Sequence, residues 1–482
     1  MTRPLLEVAD IVRQYGAAYL ARYGHVTSTA QQRVLRALTL CRTAALGGHT
    51  TACDHCGHLE SSYNSCRNRH CPKCQGSAQA AWLADRQREV LNVPYFHVVF
   101  TLPDTLNALA LRNPQRLYAL LFHTVAETLL TIAQDPRHLG GHLGFLAILH
   151  TWGQQLQYHP HLHCVIPGGG LSPDGTAWVP CAPTFFLPVK VLSRFFRRRF
   201  LEGLTQARTA QALALTGSCR ALAQPQAWQR LMQQLREHEW VVYAKRPMYE
   251  PAHVLKYLAR YTHRVAIANR RLLALEEGRV TFRWRDYAHG NRHRTMTLDA
   301  VECIRRFLLH VLPRGFQHIR HYGFLANRVR QAQLTRCRQL LQPPVASSPA
   351  GAPVTGELGA AAAALPRTEV CPVCQTGRML VVETLFPHRA VWDVGLPVFD
   401  TSERTMAMPR RVGILASEPS LSMLRDTSVR RGRGRLYAWL RPMARCLVNR
   451  AVASRTHRQR PLQSVSASPT RGQPPFGTQQ SP

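Results

Sequence analysis

Apolar side chains recur at helical spacing along the first 45 residues. Val12, Tyr15 and Tyr19 form one group and Leu35, Leu38 and Cys41 the next, so two helices are predicted there. The pattern then breaks. Polar and cysteine positions dominate from about 49 to 75, and an apolar run resumes as the strand VPYFHVVFTLP (93–103), bounded by Pro94 and Pro103. PQRLYALLFHTVAETLLTIAQD (114–135) has the composition and period of a long helix, with Pro114 at its start. HLGFLAILHTW and YHPHLHCVIPGGG then read as two more strands. The order strand, helix, strand, strand predicts an α+β domain, an antiparallel sheet with helices on one side.

Residues 185–240 read as helical and basic, most of all SRFFRRRFLEGL (193–204). A further helix opens at Pro251 in PAHVLKYLARYTHRVA, followed by strands in RRLLALEEGRVTFRWRDY and a helix from about 299 to 312. The segment 342–366 is rich in Pro, Ala and Gly and predicts a flexible linker. Expected boundaries are 1–92 for a helical and zinc-binding N-terminal part, 93–341 for the sheet domain, 367–400 for a small Cys-x-x-Cys segment, and 401–482 for a basic, disordered tail.

Charge changes the picture. The chain carries 61 Lys and Arg against 27 Asp and Glu, a formal net charge of +34. Such an excess repels itself in a compact fold unless a polyanion sits against it, so nucleic acid is the expected partner. The tail from residue 401 contributes 15 Arg against 3 acidic residues, and the inference stands without it. No run resembles a membrane span, and Glu7, Asp10 and Arg13 interrupt any secretory hydrophobic region, which points to the cytoplasm.

Six of the 14 cysteines fall between Cys41 and Cys74. Cys53-x-x-Cys56 and Cys71-x-x-Cys74 are separated by 14 residues, the spacing of a closed, structural tetrathiolate zinc site. Cys66 and His70, with His49 and His58, are alternate ligands in the same loops. Arg67, Arg69 and Lys73 lie close enough in sequence for the module to grip phosphates.

His159, His161 and His163 alternate along one predicted strand and so share a face. His161 and His163 can hold a divalent ion while Leu162 anchors the opposite face, and one more ligand leaves room for a phosphate. His159 is either a ligand or a polar neighbour. In HVLKYLARYTHR, Tyr257 and Tyr261 are four apart, which places both hydroxyls on one side of a helix. They read either as an aromatic stripe packed with Val254 and Leu258 or as nucleophiles whose phenolate the neighbouring Lys256, Arg260, His263 and Arg264 would favour.

Zinc module, histidine strand and tyrosine helix, in that order, resemble the two-tyrosine HUH transposases of rolling-circle insertion sequences, the IS91 family. The resemblance runs from the N-terminus through PYFHVVFTLP, HTWGQQLQYHPHLHCVIPGGG and YLARYTHRVAIANRRL to about residue 400. It implies a catalytic Mg²⁺ or Mn²⁺ on His161 and His163, with Gln154 as the preferred third ligand among Gln154, Gln155, Gln157, His159 and His263. It implies that Tyr257 and Tyr261 attack single-stranded DNA and form 5′-phosphotyrosine links. Replication of the donor falls to host proteins, because the chain has no Walker-type phosphate loop, and the bacterial nucleoid is where it would act.

Lys256, Arg260 and Arg264 are expected to contact DNA. So is Arg197-Arg198-Arg199, unless that run is only a solvated helix face. Trp228 and Trp240 are either base-stacking or core residues. A non-catalytic zinc-containing DNA-binding protein is the alternative, and a transposase using three carboxylates is the least supported reading.

Overall fold

In a computed structural model of the chain, the described residues are 6–182, 186–249, 254, 265–287, 289–342 and 369–387. All of them belong to one compact unit, Met1–Val398. It opens with the two expected helices, α1 (Val8–Tyr23) and α2 (Thr29–Leu40), and the hairpin β1 (Gly48–Cys53) and β2 (Leu59–Tyr63). Ser28 starts α2 with a capping box: its hydroxyl accepts from the Gln31 amide, and the Gln31 side chain accepts from the Ser28 amide. After α3 (Gln75–Gln87) come β3 (Tyr95–Thr101), α4 (Asn107–Arg112) and α5 (Pro114–Gln134). Strands β4 (Gly144–Trp152) and β5 (Tyr158–Pro167) follow, with the small pair β6 (Gly169–Leu171) and β7 (Trp178–Pro180). The chain continues through α6 (Val189–Thr209), α7 (Pro225–Glu237) and β8 (Val242–Met248). A meander of β9 (Leu272–Glu276), β10 (Arg279–Asp286) and β11 (Arg292–Asp299) leads into α8 (Ala300–Leu308). The last described elements are β12 (Ile319–Gly323), α9 (Arg330–Leu341) and β13 (Met379–Leu385).

Five strands form the central sheet in the order β12-β4-β5-β3-β8, each neighbouring pair antiparallel. The fold is therefore α+β, as expected, but helices cover both faces. Phe96, Val98 and Phe100 of β3, with Leu162, Cys164 and Ile166 of β5, point into the large core under α5, α6 and α7. The alternate residues Tyr95, Leu146, Ile148 and Val165 point the other way and join Leu334 of α9 and the flank of α3. Two buried faces explain why β4 reads as an almost unbroken apolar run.

Helix α5 is long and apolar enough to cross a membrane by length and composition. In the fold its apolar side packs on the sheet through Leu121, Phe122, Val125 and Leu129. A separate core joins α1, α2, the β9–β11 meander and α8 through Ile11, Val12, Leu35, Leu38, Val280, Phe282, Ile304 and Phe307. The expected Cys-x-x-Cys segment, 367–400, is described over residues 369–387. Its strand β13 pairs antiparallel with β1 and completes a three-stranded sheet, β13-β1-β2.

Candidate metal centre

The register of β4 on β5 sets His150 directly opposite His161, and His163 opposite Ile148. All three imidazoles lie on the sheet face away from α5, are buried, and bring their ring nitrogens within 4.8 Å of one another. A bulge between His150 and Trp152 shifts the pairing there, and the His150 ring stacks on Trp152 with centroids 4.3 Å apart.

The hydrogen bonds select ligand tautomers. His161 Nδ1 lies 2.6 Å from the His159 carbonyl oxygen, so Nδ1–H donates there and Nε2 keeps its lone pair. His163 Nδ1 lies 2.8 Å from His97 Nε2, which fixes that ring in the same way when His97 accepts. Burial pushes His161 down to about 3 and His163 well below the ordinary imidazole value, so both are neutral near pH 7. Two neutral imidazoles with oriented lone pairs, joined by the His150 ring, suit a divalent cation with open positions.

His159 contributes its backbone carbonyl to this arrangement and is not in the three-imidazole group. Gln154, the residue preferred from sequence as third ligand, lies in the β4–β5 turn. Its amide is 3.5 Å from the Tyr287 hydroxyl, and its carbonyl is held by Arg271. Gln157 turns back to accept from the Gln155 amide. The third donor brought to the site is His150. Its signal was present in the alternation of AILHTW, but only the cross-strand register reveals which β4 residue faces His161.

The cysteines form two groups, and neither is the one the spacing suggests. Cys41, Cys66, Cys71 and Cys74 converge, with sulfur separations of 3.5 Å for Cys41–Cys74 and Cys66–Cys74 and 3.6 Å for Cys71–Cys41. A tetrahedron with Zn–S bonds of about 2.3 Å has edges of about 3.8 Å, so this group fits zinc. Cys53 and Cys56 instead meet Cys371 and Cys374. The hairpin β1–β2 carries the first Cys-x-x-Cys away from the second, and Cys41, at the end of α2, and Cys66 fill the places left. His70 is no ligand here. Its Nε2 accepts from the Leu312 amide, and burial lowers it to about 3.

Several basic residues have structural duties. Arg69 donates to the carbonyls of Phe316 and Pro313, and Lys73 pairs with Glu7 at 3.0 Å. Arg199 pairs with Glu127 at 2.5 Å and with Glu202, Arg198 lies over the Phe195 ring, and Arg197 donates to the His238 carbonyl. These three arginines ride on α6, across the sheet from the histidines. Trp228 and Trp240 are core residues, Trp240 being 1% exposed with its indole N–H donating to Leu235. Tyr257 and Tyr261, with Lys256, Arg260, His263 and Arg264, lie outside the described residues.

Sequence reasoning missed one cation on the histidine face. Lys245 of β8 is exposed and pairs with His97, next to the exposed Tyr243.

Residues 11–102 match a family described as "Transposase zinc-binding domain", and residues 144–333 match one described as "Putative transposase". Together with the tetrathiolate cluster and the sheet domain, these matches define the class as a transposase with an N-terminal zinc-binding domain. A protein of Sinorhizobium fredii named "Putative transposase y4qJ" is 55% identical over 391 residues, covering 80% of this chain and 96% of the relative. The "Transposase for insertion sequence element IS801" of Pseudomonas savastanoi pv. phaseolicola is 29% identical over 318 residues, 65% of this chain and 74% of that protein. No solved structure matches the chain. The chain belongs to the IS91 family of transposases.

Proposed function

We propose that this transposase cuts and rejoins single-stranded DNA through 5′-phosphotyrosine links made by Tyr257 and Tyr261, beside a Mg²⁺ or Mn²⁺ ion held by His150, His161 and His163, in a rolling-circle mode of transposition. The observation that carries this reading is Val254. It is helical, fully buried, and packs with Leu146, Ile148 and Val165 on the histidine face of the sheet. Tyr257 follows three residues further along the sequence.

A divalent cation on the three imidazoles would draw charge from a non-bridging oxygen of the scissile phosphate. A tyrosine phenolic oxygen attacks phosphorus, the bond from phosphorus to the 3′ oxygen breaks, the phenol loses its proton, and the 3′ oxygen gains one. Joining reverses this: a 3′-hydroxyl attacks the phosphotyrosine and releases the phenol. The number of phosphate ester bonds is conserved, so no ATP is needed. Two tyrosines allow one to hold a 5′ end while the other engages the second strand. Lys245 offers the backbone a cation on the same face, and Tyr243 offers a base a ring to stack on. Host replication proteins would copy the donor.

The test is incubation with a single-stranded oligonucleotide from the element's end and Mg²⁺ or Mn²⁺, resolved on a denaturing gel. A covalent protein–DNA band that is lost in the double variant Tyr257→Phe/Tyr261→Phe supports the reading. A band of unchanged intensity in that variant refutes it. Binding without any covalent band leaves a non-catalytic DNA-binding protein.

A further inference from the structure

We propose that Cys53, Cys56, Cys371 and Cys374 bind a second structural zinc ion, and that this ion clasps the segment 369–387 onto the N-terminal zinc-binding domain. Cys371 and Cys374 lie outside both matched stretches, 11–102 and 144–333. Their partners are 315 and 321 residues away in sequence, yet Cys56–Cys371 and Cys53–Cys374 sulfurs are 3.7 and 3.6 Å apart. These are the edges of a zinc tetrathiolate, and all four thiols are free of disulfides.

Backbone amides aim at a sulfur in each half. In the first turn the amides of His55 and Cys56 point at Cys53 Sγ, at 3.4 and 3.5 Å. In the second the Gly377 amide points at Cys374 Sγ at 3.3 Å. The turns also lock to each other: the Asp54 amide donates to the Arg378 carbonyl at 3.1 Å, and the Arg378 amide donates to Asp54 Oδ1 at 2.8 Å. Gly377 belongs to this fit, because a Cβ there would lie 2.4 Å from Cys53 Sγ.

Hydrophobic packing does not hold the segment. Of β13, only Met379 is buried; Leu380, Val381 and Val382 are 45, 62 and 58% exposed. The local core is Met379 with the cysteines themselves. A strand with that exposure gains little from burial, and structural zinc contributes folding energy outright. The clasp ties the stretch before β2 to one after α9, so the whole sheet domain is held between the two halves of one metal site.

The full-length zinc-loaded protein tests this in two ways. Elemental analysis should show the variant Cys371→Ser/Cys374→Ser with one zinc fewer per chain than the wild type, a difference that cancels any zinc bound at the histidines. Equal zinc content in the two proteins would overturn the proposal. Should the variant not fold, alkylation of the wild type by N-ethylmaleimide, mapped by mass spectrometry, decides the question. Cys53, Cys56, Cys371 and Cys374 should resist together, including the exposed Cys56, and become reactive together as a chelator is added. Rapid labelling of Cys371 and Cys374 while Cys53 and Cys56 stay protected is the contrary result.

Discussion

His97 on β3 and His163 on β5 lie with their rings nearly parallel, 5.0 Å between centroids, and His97 Nε2 is 2.8 Å from His163 Nδ1. For His163 to offer Nε2 to a cation it must carry its proton on Nδ1, and His97 must then accept with Nε2. Burial, reinforced by Lys245, lowers His97 to about 3, so it is neutral and can accept. His97 is thus a positioning residue for the metal centre, acting through His163.

His97→Ala removes the acceptor and leaves the His163 ring without its orienting bond. Affinity for Mn²⁺, read by calorimetry, should fall about 10- to 100-fold, as for other partners of metal-bound histidines. His97→Gln, whose carbonyl can accept the same proton, should recover part of the loss, while zinc content stays at the wild-type level. An alanine variant that binds Mn²⁺ as tightly as the wild type would remove His97 from this role.

His150 and Gln154 give opposing expectations for the third ligand. His150→Ala should weaken Mn²⁺ binding by more than about 100-fold, beyond the usual effect of an outer partner. Gln154→Ala should stay within about threefold, since surface changes away from a site seldom exceed 0.5 kcal/mol. The reverse order of effects would restore the glutamine and dismiss the imidazole.

The local pattern of the chain was legible because it obeys local rules. Short apolar runs bounded by turn residues marked β3, β4 and β5, the 3.6-residue period marked α1, α2 and α5, and strand geometry put His161 and His163 on one face. What escaped depends on contacts distant in sequence. His150 enters through cross-strand register, which the turn Gly153–Gln157 and a bulge establish. The cysteines were misgrouped because a spacing rule treats neighbours in sequence as neighbours in space, whereas β13 reaches Cys53 and Cys56 from the far side of the sheet domain. A second helical layer was missed because a strand buried on both faces has no polar side to announce it.

Cys66 and His70 sit four residues apart and were interchangeable as zinc ligands on sequence grounds; the fold separates them. Cys66→Ser should cost one zinc per chain and lower the melting temperature of the zinc-loaded protein, because its sulfur is 3.5 Å from Cys74 within the tetrathiolate group. His70→Ala should keep the zinc. Loss of metal from the histidine variant with retention in the serine variant would reverse the ligand assignment.

His310 gives the clearest pH dependence, since it is not a ligand in either kind of site. It is buried between Thr151, whose hydroxyl donates to Nδ1, and Leu156, whose carbonyl accepts from Nε2, each at 3.2 Å. Burial lowers it to about 4 from an ordinary value of 6.5. The unfolded chain therefore binds the proton first as pH falls. The stability tied to neutral His310 is fully present above pH 6.5 and is lost progressively as pH drops towards 4, by up to about 3 kcal/mol. His70, His97 and His161 shift in the same direction, and acid also strips zinc, so a single protein cannot isolate the effect. The difference between wild type and His310→Gln can, because glutamine offers both an acceptor and a donor but no titrating proton. Urea midpoints measured between pH 7 and 4.5 should converge as pH falls, the wild type losing more. Parallel curves for the two proteins would mean that His310 is not held neutral in the fold.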